Sequence, residues 1–157
     1  MNKALEASAR NSWMETFTER DETPREPLRF GIEEGIAWGA VGNPMGSING
    51  YAWIPREGHP WSTVDSYEDE RLNDVEVHGG FTFCRNGWIG FDTLHAWDVW
   101  DPAHLEALNV PARHGRRYLQ EEWDSHLAKA SSWDRVWTID QVVAEAQKLA
   151  RQIASAA

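Results

Sequence analysis

The sequence predicts an α+β domain: a small, mostly antiparallel sheet packed against a C-terminal helix, with one further helix. Three observations carry this. Short apolar runs punctuated by Gly, Asn and Pro follow one another from Leu28 to Asp92, as strands joined by tight turns do. Asn86-Gly87 separates FTFCR from WIGFD, and Asn-Gly between extended runs is the strongest short hairpin signal, because a type I′ turn needs positive φ at both central residues. The last stretch has helical periodicity behind a capping box. Strands first and helices afterwards, rather than in alternation, favour α+β over α/β.

The elements follow in order. Residues 1–20 read as an N-terminal helix, since Ala4, Leu5, Ala9, Trp13 and Phe17 recur near helical spacing. Residues 21–27 carry two prolines and four charges and read as a linker. From residue 28 to 157 the chain reads as the α+β core, so the whole is expected to be a single domain, as a length of 157 residues suggests. LRFGIEEGIAWGAVG reads as strands turning near Glu34-Gly35, and Asn43, Pro44 and Gly46 make the next turn before a strand over Ile48–Ile54. Residues 56–74 form a long polar loop, and loops of that length in compact domains are often functional. Val75–Val77 reads as extended, stopped by Gly79-Gly80. Asp101 caps a short helix with Pro102 at its first position, running through Leu108 until Pro111 stops the chain. Arg113, His114, Arg116 and Arg117 form a local basic cluster, and residues 118–129 fit either helix or loop. Thr138-Ile139-Asp140-Gln141 is a capping box. Beyond it, Val142, Val143, Ala146, Leu149, Ala150 and Ile153 make one apolar stripe.

Composition narrows the function. The net charge of −10 disfavours direct binding to a nucleic-acid backbone. A single cysteine, Cys84, cannot form an internal disulfide, and it sits in a strand with apolar neighbours, so it reads as packing. The N-terminal residues lack the pattern of a signal peptide, and no window approaches the roughly 20 apolar residues of a membrane helix. A cytoplasmic protein without membrane contact is expected, with oligomerisation left open. Ten tryptophans are many for one small core, so some are expected to line a groove where a flat ligand could stack.

One segment concentrates polar chemistry. Asp92, His95 and Asp98 are spaced three apart, and a helical turn after the strand would bring them to one face. Carboxylates with an imidazole suit a divalent metal, the one cofactor the residues point to, and they suit acid–base work with Asp orienting His. His59, beside Pro60 and Trp61 in the long loop, and His78, before Gly79-Gly80, are expected to converge with them at one end of the sheet. The predicted ligand-binding set is thus His59, Trp61, His78, Gly79, Gly80, Asp92, His95 and Asp98, with Asp92, His95 and Asp98 as the metal candidates; no catalytic residue is assigned. There is no Gly-x-Ser-x-Gly elbow, Walker loop or dinucleotide fingerprint.

Taken in order, Asn49-Gly50-Tyr51 to Gly58-His59-Pro60, Val77-His78-Gly79-Gly80 with Thr82, Gly90-Phe91-Asp92 with His95 and Asp98, and Glu145 with Leu149-Ala150 and Gln152 resemble a family of small proteins of tailed bacteriophages and prophages. The resemblance spans roughly residues 48–153; this chain carries Trp97 and Trp100 where the family pattern has smaller residues. It implies a phage gene product acting inside a bacterial host cell, and it marks His59, His78, Asp92, His95 and Asp98 as the retained polar positions. It implies no particular activity. The function classes are then a phage-encoded binding protein that inhibits host defence, either by sequestering a small ligand, a nucleotide among the candidates, or by blocking a host protein; a metal-dependent hydrolase using the His/Asp site; and an acidic decoy of a nucleic-acid-binding complex. The residues alone do not separate enzyme from binding protein.

Overall fold

The structure is a computed structural model and describes residues 3–18, 25–43, 45–95, 98–108, 117–129 and 135–157. Most of the expected 21–27 linker, Pro44, Pro111 and the basic residues Arg113, His114 and Arg116 lie outside the described residues.

The fold is α+β. Helix α1 spans Lys3–Thr16. Strands β1 (Arg29–Glu33), β2 (Ile36–Gly42), β3 (Ile48–Trp53), β4 (Phe83–Arg85) and β5 (Trp88–Phe91) form one antiparallel sheet in the order β1-β2-β3-β5-β4. Strand β6 (Asp98–Trp100) leads into helix α2 (Pro102–Leu108). Helix α3 (Arg117–Lys129) follows, and strand β7 (Arg135–Trp137) opens into the C-terminal helix α4 (Ile139–Ser155). Strands β6 and β7 pair in parallel as a separate two-stranded sheet.

Turn chemistry sets the register of the main sheet. Glu34 and Gly35 have φ of 50° and 81°, and Asn86 and Gly87 have 52° and 83°. Both hairpins therefore close through two left-handed residues, as the type I′ turn requires. Alternation along the strands then sends the two sheet faces to different helices. Ile36, Trp38, Ala52, Ile54 and Ile89 face α4 and meet Ala146, Leu149, Ala150 and Ile153, all buried. Ala37, Tyr51 and Trp88 face α1 and meet Ala9, Trp13 and Phe17. Trp13 packs close on the sheet because Gly39 has no side chain: a Cβ there would stand 2.4 Å from the Trp13 ring.

The tryptophans are chiefly core. Trp13, Trp38, Trp88, Trp100, Trp123 and Trp137 are buried, and several carry their indole N–H to a partner, Trp13 to the Arg25 carbonyl and Trp123 to the Met45 carbonyl. Trp53 and Trp61 are only partly buried, and each lines a groove.

Helix α4 begins as its sequence dictates. Thr138 accepts the Gln141 N–H while the Gln141 side chain accepts the Thr138 N–H. Asp101 caps α2 through the Ala103 N–H at 3.0 Å, and its second oxygen accepts the Ile139 N–H at 2.9 Å. One carboxylate thus ties the starts of α2 and α4 together. Residues 118–129 are helical, settling the alternative the sequence left open.

Val75–Val77 is not a strand. Its backbone is held by side chains of α4 instead. The Gln152 amide bonds both the N–H and the carbonyl of Glu76 at 2.8 Å, and Glu145 accepts the His78 N–H at 2.9 Å. Glu145 and Gln152 are seven residues apart and lie on one helix face, so they serve as the pairing edge a neighbouring strand would otherwise supply. This clamp fixes the segment that carries His78.

Candidate functional site

Side-chain and backbone hydrogen bonds hold the chain beyond β5. Asp92 accepts the Leu94 N–H at 3.0 Å, the buried Thr93 hydroxyl donates to the Ile48 carbonyl at 2.9 Å, and the Asp98 N–H returns to the His95 carbonyl at 2.9 Å. Asp98 then opens β6, where its side chain is wholly buried. Asp92, His95 and Asp98 do not converge as expected of one helical face: Asp98 bonds His95 directly, while Asp92 turns on Leu94.

Asp98 is the centre of the cluster. His78 Nε2–H donates to its Oδ1 at 2.8 Å, and His95 Nδ1–H donates to its Oδ2 at 2.7 Å. The His95 backbone N–H adds a third bond to Oδ2 at 3.0 Å. A buried carboxylate needs such donors to offset its lost hydration. The two imidazoles meet edge to face with centroids 5.0 Å apart, and the Trp137 ring packs on His78 at 4.1 Å. Side-chain exposure grades outward, from 0% at Asp98 through 9% at His78 to 19% at His95, so His95 is the face the cluster shows to solvent.

Gly79 makes room for this arrangement. Its φ is +67°, and a Cβ on it would fall 2.1 Å from His95 Cε1. Gly80 also has positive φ, +83°, but a Cβ there would meet nothing within 4 Å.

His78, His95 and Asp98 each offer a ligand atom, all within 4.8 Å of one another. Two histidines and a carboxylate suit zinc or another first-row divalent ion. In a tetrahedral zinc site, neighbouring N and O ligands stand about 3.3–3.5 Å apart, given bonds near 2.0–2.2 Å. The two N–H···O contacts would therefore open by roughly 0.6 Å to admit an ion, and each ring proton would move to the other nitrogen. Both are side-chain adjustments. The structure revises the expected metal set, with His78 in the place given to Asp92. Asp92 Oδ1 stands 4.0 Å from His95 Nδ1 and accepts the Leu94 N–H.

His59 and Trp61 do not join the cluster. His59 Nε2–H donates to the Ile153 carbonyl at 2.8 Å, and its Nδ1 accepts the Trp61 N–H at 2.9 Å. Both ring nitrogens are occupied, and the ring adds a second donor to the Ile153 carbonyl, which also accepts the Ala156 N–H at 3.2 Å at the end of α4. Ile153 lies eight residues beyond Glu145, roughly 12 Å along the helix axis at 1.5 Å per residue. The expected convergence of all three histidines is corrected on this point. His59→Ala is expected to cost about 1–3 kcal/mol in urea unfolding, because it removes the two hydrogen bonds of a buried ring, and to leave metal binding at the cluster unchanged.

Sequence reasoning did not assign a role to Trp137, nor to Glu145 or Gln152, although the last two stand in the motif set behind the resemblance. Glu145 and Gln152 are recognisable as polar residues seven apart beside the apolar stripe of α4. Cys84 packs against the α4 side of the sheet, and burial pushes its thiol pKa up, away from reactive thiolate.

No family model, curated protein or solved structure matches this chain. Among the described residues, no helix is long and apolar enough to cross a membrane.

Proposed function

We propose that the protein is a metal-dependent hydrolase of a small substrate, with a divalent ion held by His78, His95 and Asp98. The observation that carries this reading is the single buried carboxylate shared by two imidazoles from separate segments, one of them clamped by α4 and the other at the surface. An ion bound there would supply a Lewis acid and acidify a coordinated water. Asp98 sets the orientation of both imidazoles, Glu145 fixes the backbone of His78, and Trp137 walls the buried side. Asp92, partly exposed beside His95, is the carboxylate placed to accept a proton.

The test is metal content after incubation with zinc or manganese and desalting. Stoichiometric metal is expected in the native chain and none in His95→Ala, with the folded circular dichroism spectrum kept by both. Asp92→Ala is expected to retain the ion and lose turnover of activated phosphate or carboxylate esters. A native chain that retains no metal, or a His95→Ala chain that retains it fully, rejects the reading.

A second reading is favoured by the complete hydrogen bonding of Asp98. The cluster is electrostatically satisfied as it stands, which suits a rigid polar wall that recognises a ligand without transforming it. In that form the protein sequesters a small ligand, the role expected of a phage-encoded inhibitor of host defence. Metal-independent ligand binding lost in His95→Ala, without turnover, would select it.

A further inference from the structure

The clamp that positions His78 borders a second concavity. Between the loop after β3 and the C-terminal half of α4 lies an open groove of about 480 Å³, lined by Trp61, Arg71, Asp74, Lys148, Arg151 and Gln152, among others. That volume lies within the range of sites for drug-sized ligands. Gln152 belongs to both, and Lys148 on the groove side stands 3.7 Å from Glu145 of the clamp.

We propose that this groove binds a ligand that joins a flat ring to an anionic group, of the class of a nucleoside monophosphate, with the ring on Trp61 and the anion among Arg71, Lys148 and Arg151. Donor chemistry is the first argument. Arg71, Lys148 and Arg151 all line this one groove, each paired with a carboxylate outside its lining, Asp69, Glu145 and Glu33 respectively. Guanidinium and ammonium groups brought together in this way offer charge-assisted N–H donors to an anion.

Preorganisation is the second. Arg71 is fixed by a two-point contact with Asp69 at 2.9 and 2.8 Å, by the Thr63 hydroxyl at 2.9 Å and by the Pro60 carbonyl at 3.2 Å. The hydrogen bonds from Arg71 hold the Asp69 carboxyl down at about 2, so the contact stays ionised across the ordinary pH range. Arg151 is anchored by Glu33 at 3.3 Å and Lys148 by Glu145 at 3.7 Å. Yet these three side chains remain 39%, 45% and 41% exposed, so each is held in place with surface left to meet a ligand. Side chains already ordered lose less entropy on binding.

The third argument is the indole. Trp61 is only partly buried, unlike the core tryptophans, and its backbone N–H is pinned to His59 Nδ1. His59 is in turn pinned to α4, and the two rings meet edge to face at 5.5 Å. His59 thereby acquires a purpose the metal cluster did not give it: it locks the aromatic wall of the groove. An aromatic face fixed beside cations suits stacking of a base with its phosphate nearby.

The test is calorimetric titration of the native chain with AMP in the presence of EDTA, beside adenosine and inorganic phosphate. AMP is expected to bind with a Kd below about 1 mM, and adenosine and phosphate each at least about tenfold more weakly. Trp61→Ala and Lys148→Ala should each weaken AMP by about tenfold, while Trp61→Phe, which keeps a ring, should largely restore it. No saturable AMP binding, equal binding of adenosine or of phosphate, or indifference to Trp61→Ala and Lys148→Ala would each overturn the proposal. Because the titration is run without divalent metal, AMP binding that appears only when metal is added would also overturn it and would place the nucleotide at the His/Asp cluster instead.

Discussion

Asp98→Ala is expected to destabilise the protein by about 3–5 kcal/mol and to abolish metal retention. The side chain is wholly buried and accepts bonds from His78 Nε2, His95 Nδ1 and the His95 backbone. Truncation removes both acceptor oxygens, and with them all three bonds, and leaves a buried imidazole edge and a backbone N–H without these partners, the costly side of the hydrogen-bond balance. For a domain of this length the loss corresponds to a fall in Tm of roughly 6–20 °C. Asp98→Asn separates charge from shape. It keeps the volume and one acceptor oxygen, and the histidine facing the amide nitrogen can accept through its other tautomer, so a smaller loss of about 1–3 kcal/mol is expected. Metal retention should nonetheless disappear, because a neutral amide is a poor substitute for a carboxylate ligand. Urea unfolding beside metal analysis reads both quantities. An Asp98→Ala chain as stable as the native one would show that the buried network contributes nothing to the fold. An Asp98→Asn chain with native metal content would remove Asp98 from the ligand set.

The sheet and its covering helix were legible in the sequence because their signals are local. Positive φ at Asn86-Gly87 is a property of two neighbouring residues, and the capping box at Thr138 and Gln141 is closed within one helical turn. The helix over Pro102–Leu108 was legible for the same reason, from Asp101 and the proline behind it. The β6–β7 pair was not. Each strand is three residues long, and the two come together in parallel across an intervening stretch that contains two helices, a pairing no local pattern announces. Val75–Val77 stays outside the sheet for a related reason: the partners of this segment are side chains of a helix rather than a strand.

The site shows the same division. Asp92, His95 and Asp98 were singled out by a spacing that presumed a helix, and direct hydrogen bonds unite only the latter two. That His78 completes the cluster depends on Glu145, sixty-seven residues away in sequence, holding its backbone in place. His59 looked equivalent to His78, since both sit near glycines in loops, and what separates them is which end of α4 each one meets. Tertiary partners of that kind are set by packing of α4 on the sheet, which periodicity predicts, and by its axial register, which periodicity does not.

Gly79→Ala is expected to disable the cluster, and Gly80→Ala is expected to spare it. Both glycines adopt the left-handed region, at φ +67° and +83°, so each substitution carries the penalty of roughly 1–2 kcal/mol for an L-residue there. The backbone term is therefore common to the pair, and the difference between them is contact. A Cβ on Gly79 would overlap His95, 2.1 Å from Cε1 and 2.2 Å from Nε2, whereas a Cβ on Gly80 would meet open space. Overlap at that distance forces the imidazole to move, and the ring cannot swing away without stretching its 2.7 Å bond to the Asp98 carboxylate. Gly79→Ala should thus lose metal affinity by at least about 10–100-fold, the scale found when a ligand loses its positioning partner, and its extra destabilisation over Gly80→Ala should be about 1–3 kcal/mol, as for overpacking. Equal metal affinity and equal stability in the two variants would mean that His95 is free to relocate, and that its place between Gly79 and Asp98 is not what the cluster depends on. Loss confined to Gly79→Ala would tie function to the one position in the 78–80 turn where a missing side chain makes room for the imidazole.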